Sequence, residues 1–244
     1  MQSASIPICT EHKGNLCGLS TGFVFSIRDH LFLTTAAHSI QTAKKHDLSL
    51  SVPCPWDPLN SLLTNLVPLP SEWHIAEKPD IAVCPLKPSP HFDELRTLTS
   101  VQPEQVDTRP AKNLCLCCLI GFPGLWCAPG QTGLSQKSIL YFTQQYLGDQ
   151  LPVGYDSSLH LLFNGDHDGG INDQGQPEAF LDLAGNNKAS FPRDLVGISG
   201  CPIFRVATPR EDRTWERCEP ALVAIEHGVY SNGIRLIRGT NCLA

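Results

Sequence analysis

Short apolar and β-branched runs, each cut off by glycine or proline, recur along the whole chain, and no long helical periodicity interrupts them. Nineteen glycines and twenty prolines supply the punctuation. Runs of this kind are too short for helices that bury a face, and they suit strands joined by tight turns. The pattern predicts an opening strand and hairpin over residues 1–18, then strands near 22–27, 31–35, Ser49–Val52 and 80–86. Further strands are expected at Leu114–Gly121 and near 138–143, 159–163, 202–207 and 221–226, with one short helical turn starting near Ala36. Many short strands with Gly/Pro turns describe an all-β barrel or sandwich.

One turn carries chemistry. In Leu195-Val196-Gly197-Ile198-Ser199-Gly200-Cys201-Pro202 an apolar run stops at glycine, presents a serine and resumes as a strand. Glycine on both sides lets the backbone bend sharply and leaves the hydroxyl uncovered. The amides of Gly197 and Ser199 could converge on a developing oxyanion. A serine hydroxyl is a weak nucleophile without a positioned base. A histidine stands at His38, after Thr34-Thr35-Ala36-Ala37, and a carboxylate at Asp80, where Lys78-Pro79-Asp80 enters the apolar run Ile81-Ala82-Val83. Their order, His then Asp then Ser, is one of the three known orders for such a triad.

On these three segments, together with Leu19–Phe23 and Ile120–Gly124, the chain resembles the trypsin/chymotrypsin-like serine peptidases, and among them the bacterial-type, non-zymogen members. The resemblance implies two six-stranded antiparallel β-barrels with the active site between them. Residues 1–87 would form the first barrel with His38 and Asp80, 88–110 a proline-rich linker, and 111–244 the second barrel with Ser199. The stretch 143–190 matches poorly and reads as an insertion. His38 would be general base and acid, Asp80 its orienter and Ser199 the nucleophile, with Gly197 and Ser199 as the oxyanion hole. The primary pocket would involve Arg193, Asp194 and Ile225–Gly228. Within it, Glu226 or, one register along, His227 falls where glutamate-cleaving relatives carry a histidine. Two carboxylates against one guanidinium favour Lys or Arg before the cleaved bond. Ile198 replaces the acid that zymogen-type members use to bind a new N-terminus, so activity without such processing is expected.

Composition limits the alternatives. A formal charge of −6 without a basic cluster argues against nucleic acid as the partner. Residues 1–16 are polar and lack the apolar centre of a secretory signal. The most apolar window, Leu114–Pro129, is broken by Gly121, Pro123 and Gly124, so no membrane span is expected. Eleven cysteines cannot all pair internally and read as thiols in a reducing compartment, the cytoplasm. The expected partner is a protein or peptide substrate, and a regulatory protein or the 143–190 insertion would restrain the enzyme. No cofactor is expected.

Other matches are weaker. Gly18-Leu19-Ser20-Thr21-Gly22 fits the nucleophile elbow of α/β-hydrolases, but a strand and not a helix follows it. Cys115-Leu116-Cys117-Cys118 has no second cysteine pair to complete a zinc site, and alternation puts Cys115 and Cys117 on one face. Asp166, Asp168, Asn172 and Asp173 lack the spacing of a calcium loop, so no metal is expected. Two rivals to the peptidase remain: a peptidase fold that binds a partner without cleaving it, and an esterase using the same triad.

Overall fold

The computed structural model describes residues 5–12, 15–28, 30–53, 62–63, 66–88, 92, 100–107, 115–124, 127–129, 134–136, 138–165, 180–181, 187–188, 195–212, 214–232 and 234–242. Two antiparallel sheets account for most of it.

The first sheet contains β1 (Ser5–His12), β2 (Asn15–Ile27), β3 (His30–Ala36), β4 (Leu50–Pro53), β6 (Leu66–Pro68), β7 (His74–Ala76) and β8 (Ile81–Leu86), in the order β6-β4-β1-β2-β3-β8-β7. Between β3 and β4 lies the helix α1 (Ala37–Lys45). The β2–β3 hairpin has a two-residue loop, since Ile27 faces His30, and Arg28 takes a left-handed φ of 55°. Such a turn follows the right-handed twist of the strands. The sheet has seven strands, one more than expected, because the three-residue β7 pairs along β8.

The second sheet runs β12-β9-β16-β17-β18-β13, from β9 (Leu116–Gly121), β12 (Ile139–Gln144), β13 (His160–Asn164), β16 (Pro202–Pro209), β17 (Trp215–Asn232) and β18 (Ile234–Asn241). Its edges meet where Gln145 bridges Phe163 and Tyr146 N–H donates to Leu162 O at 2.8 Å, which closes the sheet on itself. Smaller ribbons are formed by β5 (Leu62–Leu63) with β10 (Cys127–Pro129) and β11 (Leu134–Gln136), and by β14 (Phe180–Leu181) with β15 (Asn187–Lys188).

Each sheet has its own core. Ile6, Ile8, Val24, Leu33, Ile40 and Ala82 fill the first, and Leu119, Ile139, Phe163, Ile198, Ile203 and Ile237 the second. A third cluster of Phe23, Val101, Phe204, Leu222 and Ile225 lies between them. The connecting segment stitches this junction: Val101 bridges Phe25 of β2 and Val106 bridges Leu222 of β17. Cys115 and Cys117 share the second core, with their Sγ atoms 3.4 Å apart. Among the described residues, no helix is long and apolar enough to cross a membrane.

Candidate active site

His38 is set by the junction of β3 and α1. Ala37, Ile40 and Ala43 bury one stripe of the helix in the first core, and His38 lies off that stripe. The helix cannot cap itself, because Ala36 at its N-cap has no side chain to accept a hydrogen bond. Asp80 supplies the cap from another strand. Ala36 faces Ile81 in the β3–β8 register, so Asp80 comes next to Ala37 and His38. Its carbonyl accepts Ala37 N–H at 3.0 Å, its Oδ1 accepts His38 N–H at 2.8 Å, and its Oδ2 faces His38 Nδ1 at 2.7 Å. Asp80 reaches these partners with a φ of 53°, a left-handed conformation that Asp tolerates better than most residues. Burial acts to raise its pKa, but hydrogen bonds from His227 and His38 outweigh that and hold it well below the usual carboxylate range.

Ser199 is the second residue of the latter of two consecutive turns. Ile198 N–H donates to Leu195 O at 3.1 Å, and Cys201 N–H donates to Ile198 O at 2.9 Å. The third position of each turn is glycine with positive φ, 99° at Gly197 and 90° at Gly200, as type II turns require. A Cβ on Gly200 would lie 2.7 Å from Ala36 N, so the serine turn is pressed against the strand end that leads to His38. Four hydrogen bonds fix it there: Thr21 N–H to Ser199 O at 3.0 Å, Thr21 Oγ1 to Gly197 O at 2.9 Å, Gly200 N–H to Glu226 O at 2.7 Å, and Glu226 N–H to Cys201 O at 2.9 Å. Thr21 Oγ1 also accepts Phe122 N–H at 2.9 Å, so one buried hydroxyl joins both sheets to the serine loop.

Among the described residues, Gly197 and Ser199 N–H donate to no backbone carbonyl, whereas the intervening Ile198 N–H is used by its turn. Ser199 is half-buried, and its Oγ has no hydrogen-bond partner among the described residues. His38 keeps 46% of its side chain exposed.

The expected pocket residues separate. Arg193 and Asp194, like the acidic loop with Asp166, Asp168, Asn172 and Asp173, lie outside the described residues. Glu226 is 1% exposed, and burial raises its carboxyl to about 8. His227 turns its Nδ1 to Asp80 Oδ2 at 3.4 Å, and burial lowers its pKa. Its ring lies against that of His160, with centroids 5.1 Å apart. Neither Thr21 nor His160 is legible as a site residue in the sequence, since each acts across strands far apart in the chain. Gly18–Gly22 lies inside β2, which runs on as strand to Ile27, so no nucleophile elbow forms there. Among the described residues no cluster of His, Cys, Asp or Glu could hold a metal ion.

No family model and no curated protein sequence matches the chain. Solved structures do. It is similar to the protease Anisep from Arthrobacter nicotinovorans at 11% identity, over 98% of this chain and 90% of that one, with a TM-score of 0.53. It is also similar to a mutant of human heparin binding protein at 12% identity, over 99% and 87%, with a TM-score of 0.54. At these identities the likeness is one of fold, a chymotrypsin-like pair of antiparallel β-sheets.

Proposed function

We propose that this chain is a serine endopeptidase that cleaves a protein or peptide through an acyl-enzyme, with Ser199 as nucleophile, His38 as base and then acid, and Asp80 as orienter. The observation that carries the reading is the grip of Asp80 on His38 through both carboxylate oxygens, and on Ala37 through its carbonyl, beside a docked serine turn. With Nδ1 committed to Asp80, His38 offers Nε2 to take the Ser199 proton as Oγ attacks the scissile carbonyl. The Gly197 and Ser199 amides stabilise the oxyanion. Collapse transfers the proton from His38 to the leaving amine, and water repeats the sequence to free the acid.

A reducing compartment such as the cytoplasm suits the chain, because the ten cysteines among the described residues are free thiols. Burial raises Cys9, Cys118 and Cys242 each to about 12, which keeps them unreactive. A regulatory protein would restrain the enzyme there. With Glu226 sealed from solvent, a preference for Lys or Arg before the cut rests on Asp194.

The unbonded Ser199 Oγ favours a second reading, a binding module that holds a peptide without cutting it. Fluorophosphonate labelling decides between them. A peptidase labels on Ser199, and the label disappears in Ser199→Ala. A properly folded wild-type protein that never labels is a binding module.

A further inference from the structure

Four buried side-chain atoms on β17 and β18 lack a hydrogen-bond partner among the described residues: Glu226 Oε2, His227 Nε2, Tyr230 OH and Arg238 Nε. Unpaired buried polar groups are costly, and in a native structure each calls for an explanation. One of them belongs to the Arg238 guanidinium, which no carboxylate among the described residues neutralises. Arg238 stacks over the ring of Tyr230, 4.7 Å from its centroid. Among the described residues no ion pair reaches it. Its surroundings carry little opposing charge. Burial raises Glu226 to about 8 and so leaves it mostly protonated near neutrality, and Asp80 is already engaged by two imidazoles.

The register fixes the direction of this charge. Gly228 faces Arg238 across the strand pair, and a bulge lies between Glu226 and Gly228. Val229 and Ile237 pack on the second core, so Gly228, Tyr230 and Arg238 share the opposite face. A Cβ on Gly228 would lie 3.7 Å from a terminal nitrogen of Arg238, so the guanidinium extends over the strand where no side chain stands in its way. Beyond Ile225 the partner strand β16 has ended, and the outer edge of β17 pairs with no strand among the described residues. An extended peptide added at that edge alternates its side chains between the two faces. If the residue before the cut points toward Glu226, its upstream neighbour points toward Arg238.

Building on the peptidase reading, we infer that Arg238, held by Tyr230 and uncovered by Gly228, forms a subsite for a carboxylate side chain at the second residue before the scissile bond. The ligand class is an acidic peptide. Its carboxylate would complete the guanidinium and bring a partner within reach of the Tyr230 hydroxyl.

The test uses the full chain and octapeptide pools that carry Glu or Gln at one fixed position, with the other positions randomised. Cleavage by the wild type assigns the position, and binding to Ser199→Ala measures preference without turnover. The Glu pool is expected to bind roughly 10-fold more tightly than the Gln pool. Arg238→Met should bring the Glu pool down to the Gln level, and Arg238→Lys should retain part of the preference, which a merely structural role would not do. Equal binding of the two pools, or a preference that survives in a folded Arg238→Met protein, overturns the subsite. A Glu preference in a protein that never cleaves supports the subsite and overturns the peptidase reading alone.

Discussion

His227 Nδ1 lies 3.4 Å from Asp80 Oδ2, the same oxygen that holds His38 Nδ1 at 2.7 Å. One carboxylate therefore orients two imidazoles, one half-exposed at the serine turn and one only 3% exposed behind it. To donate to Asp80, His227 must carry its proton on Nδ1, which leaves Nε2 as a buried acceptor. We propose His227 as a positioning residue: its hydrogen bond to Asp80 helps to keep that carboxylate ionised.

Removing that support should weaken catalysis without removing the nucleophile. A hydrogen bond to a charged group contributes about 1.5–3 kcal/mol, or roughly 10- to 100-fold in rate. His227→Ala is expected to lower kcat/KM by that factor with fluorophosphonate labelling of Ser199 retained at a slower rate. His227→Asn, which keeps a donor, should recover part of the loss. An unchanged labelling rate in His227→Ala would show that Asp80 needs no second imidazole.

The proposed triad should behave as one unit. Ser199→Ala, His38→Ala and Asp80→Asn are each expected to reduce kcat by about 10⁴-fold or more, and the triple variant should be little worse than the most damaging single one. Steady-state kinetics on a cleaved peptide measure this. Additive losses would mean that the three groups do not share a step.

Much of this was legible in the sequence where the signal was local. The β-strand positions follow from apolar runs between turn residues, and Gly197 and Gly200 mark the left-handed positions that frame Ser199. What stayed hidden depends on register. The sequence left open whether Glu226 or His227 reaches the site, and the bulge after Glu226 assigns them different neighbours, a sealed interior for one and Asp80 for the other. A bulge has no dependable residue signature. The strand expected near 221–226 is the middle of the eighteen-residue β17; its extension to both sides and the arginine-bearing β18 escaped for a similar reason, since their polar positions are explained only by the strands opposite.

Thr21 shows how far apart in the chain the supports of the site lie. Its hydroxyl accepts Phe122 N–H and donates to Gly197 O, 176 positions away. Thr21→Val keeps the shape and removes both bonds, taking the hydroxyl away from a buried N–H and a buried carbonyl. Each loss costs about 1–3 kcal/mol. The expected result is a Tm lower by several degrees, about 2–4 °C for each kcal/mol in a chain of this size, with slower labelling of Ser199. Thermal unfolding and labelling rates check the two effects separately, and a Tm equal to wild type would show that the bridge contributes nothing.

Glu226 gives a prediction whose sign depends on pH. Burial raises its carboxyl to about 8 in the folded chain, while an unfolded chain holds it at about 4.3. Between these values the native state binds more protons than the unfolded state, so this group makes stability fall as pH rises. Below about pH 4 both states are protonated and the group has no effect; above about 8 the cost is complete. Glu226→Gln keeps the shape and cannot ionise. Its Tm relative to wild type is therefore expected to climb steadily from pH 4 to pH 8 and then level off, with a gain at pH 8 of at least about 2–4 °C. Differential scanning calorimetry across that range measures the difference directly. A constant offset between the two proteins would mean that the Glu226 carboxylate finds a compensating charge in the folded state, and a difference that shrinks with rising pH would mean that it is held ionised there.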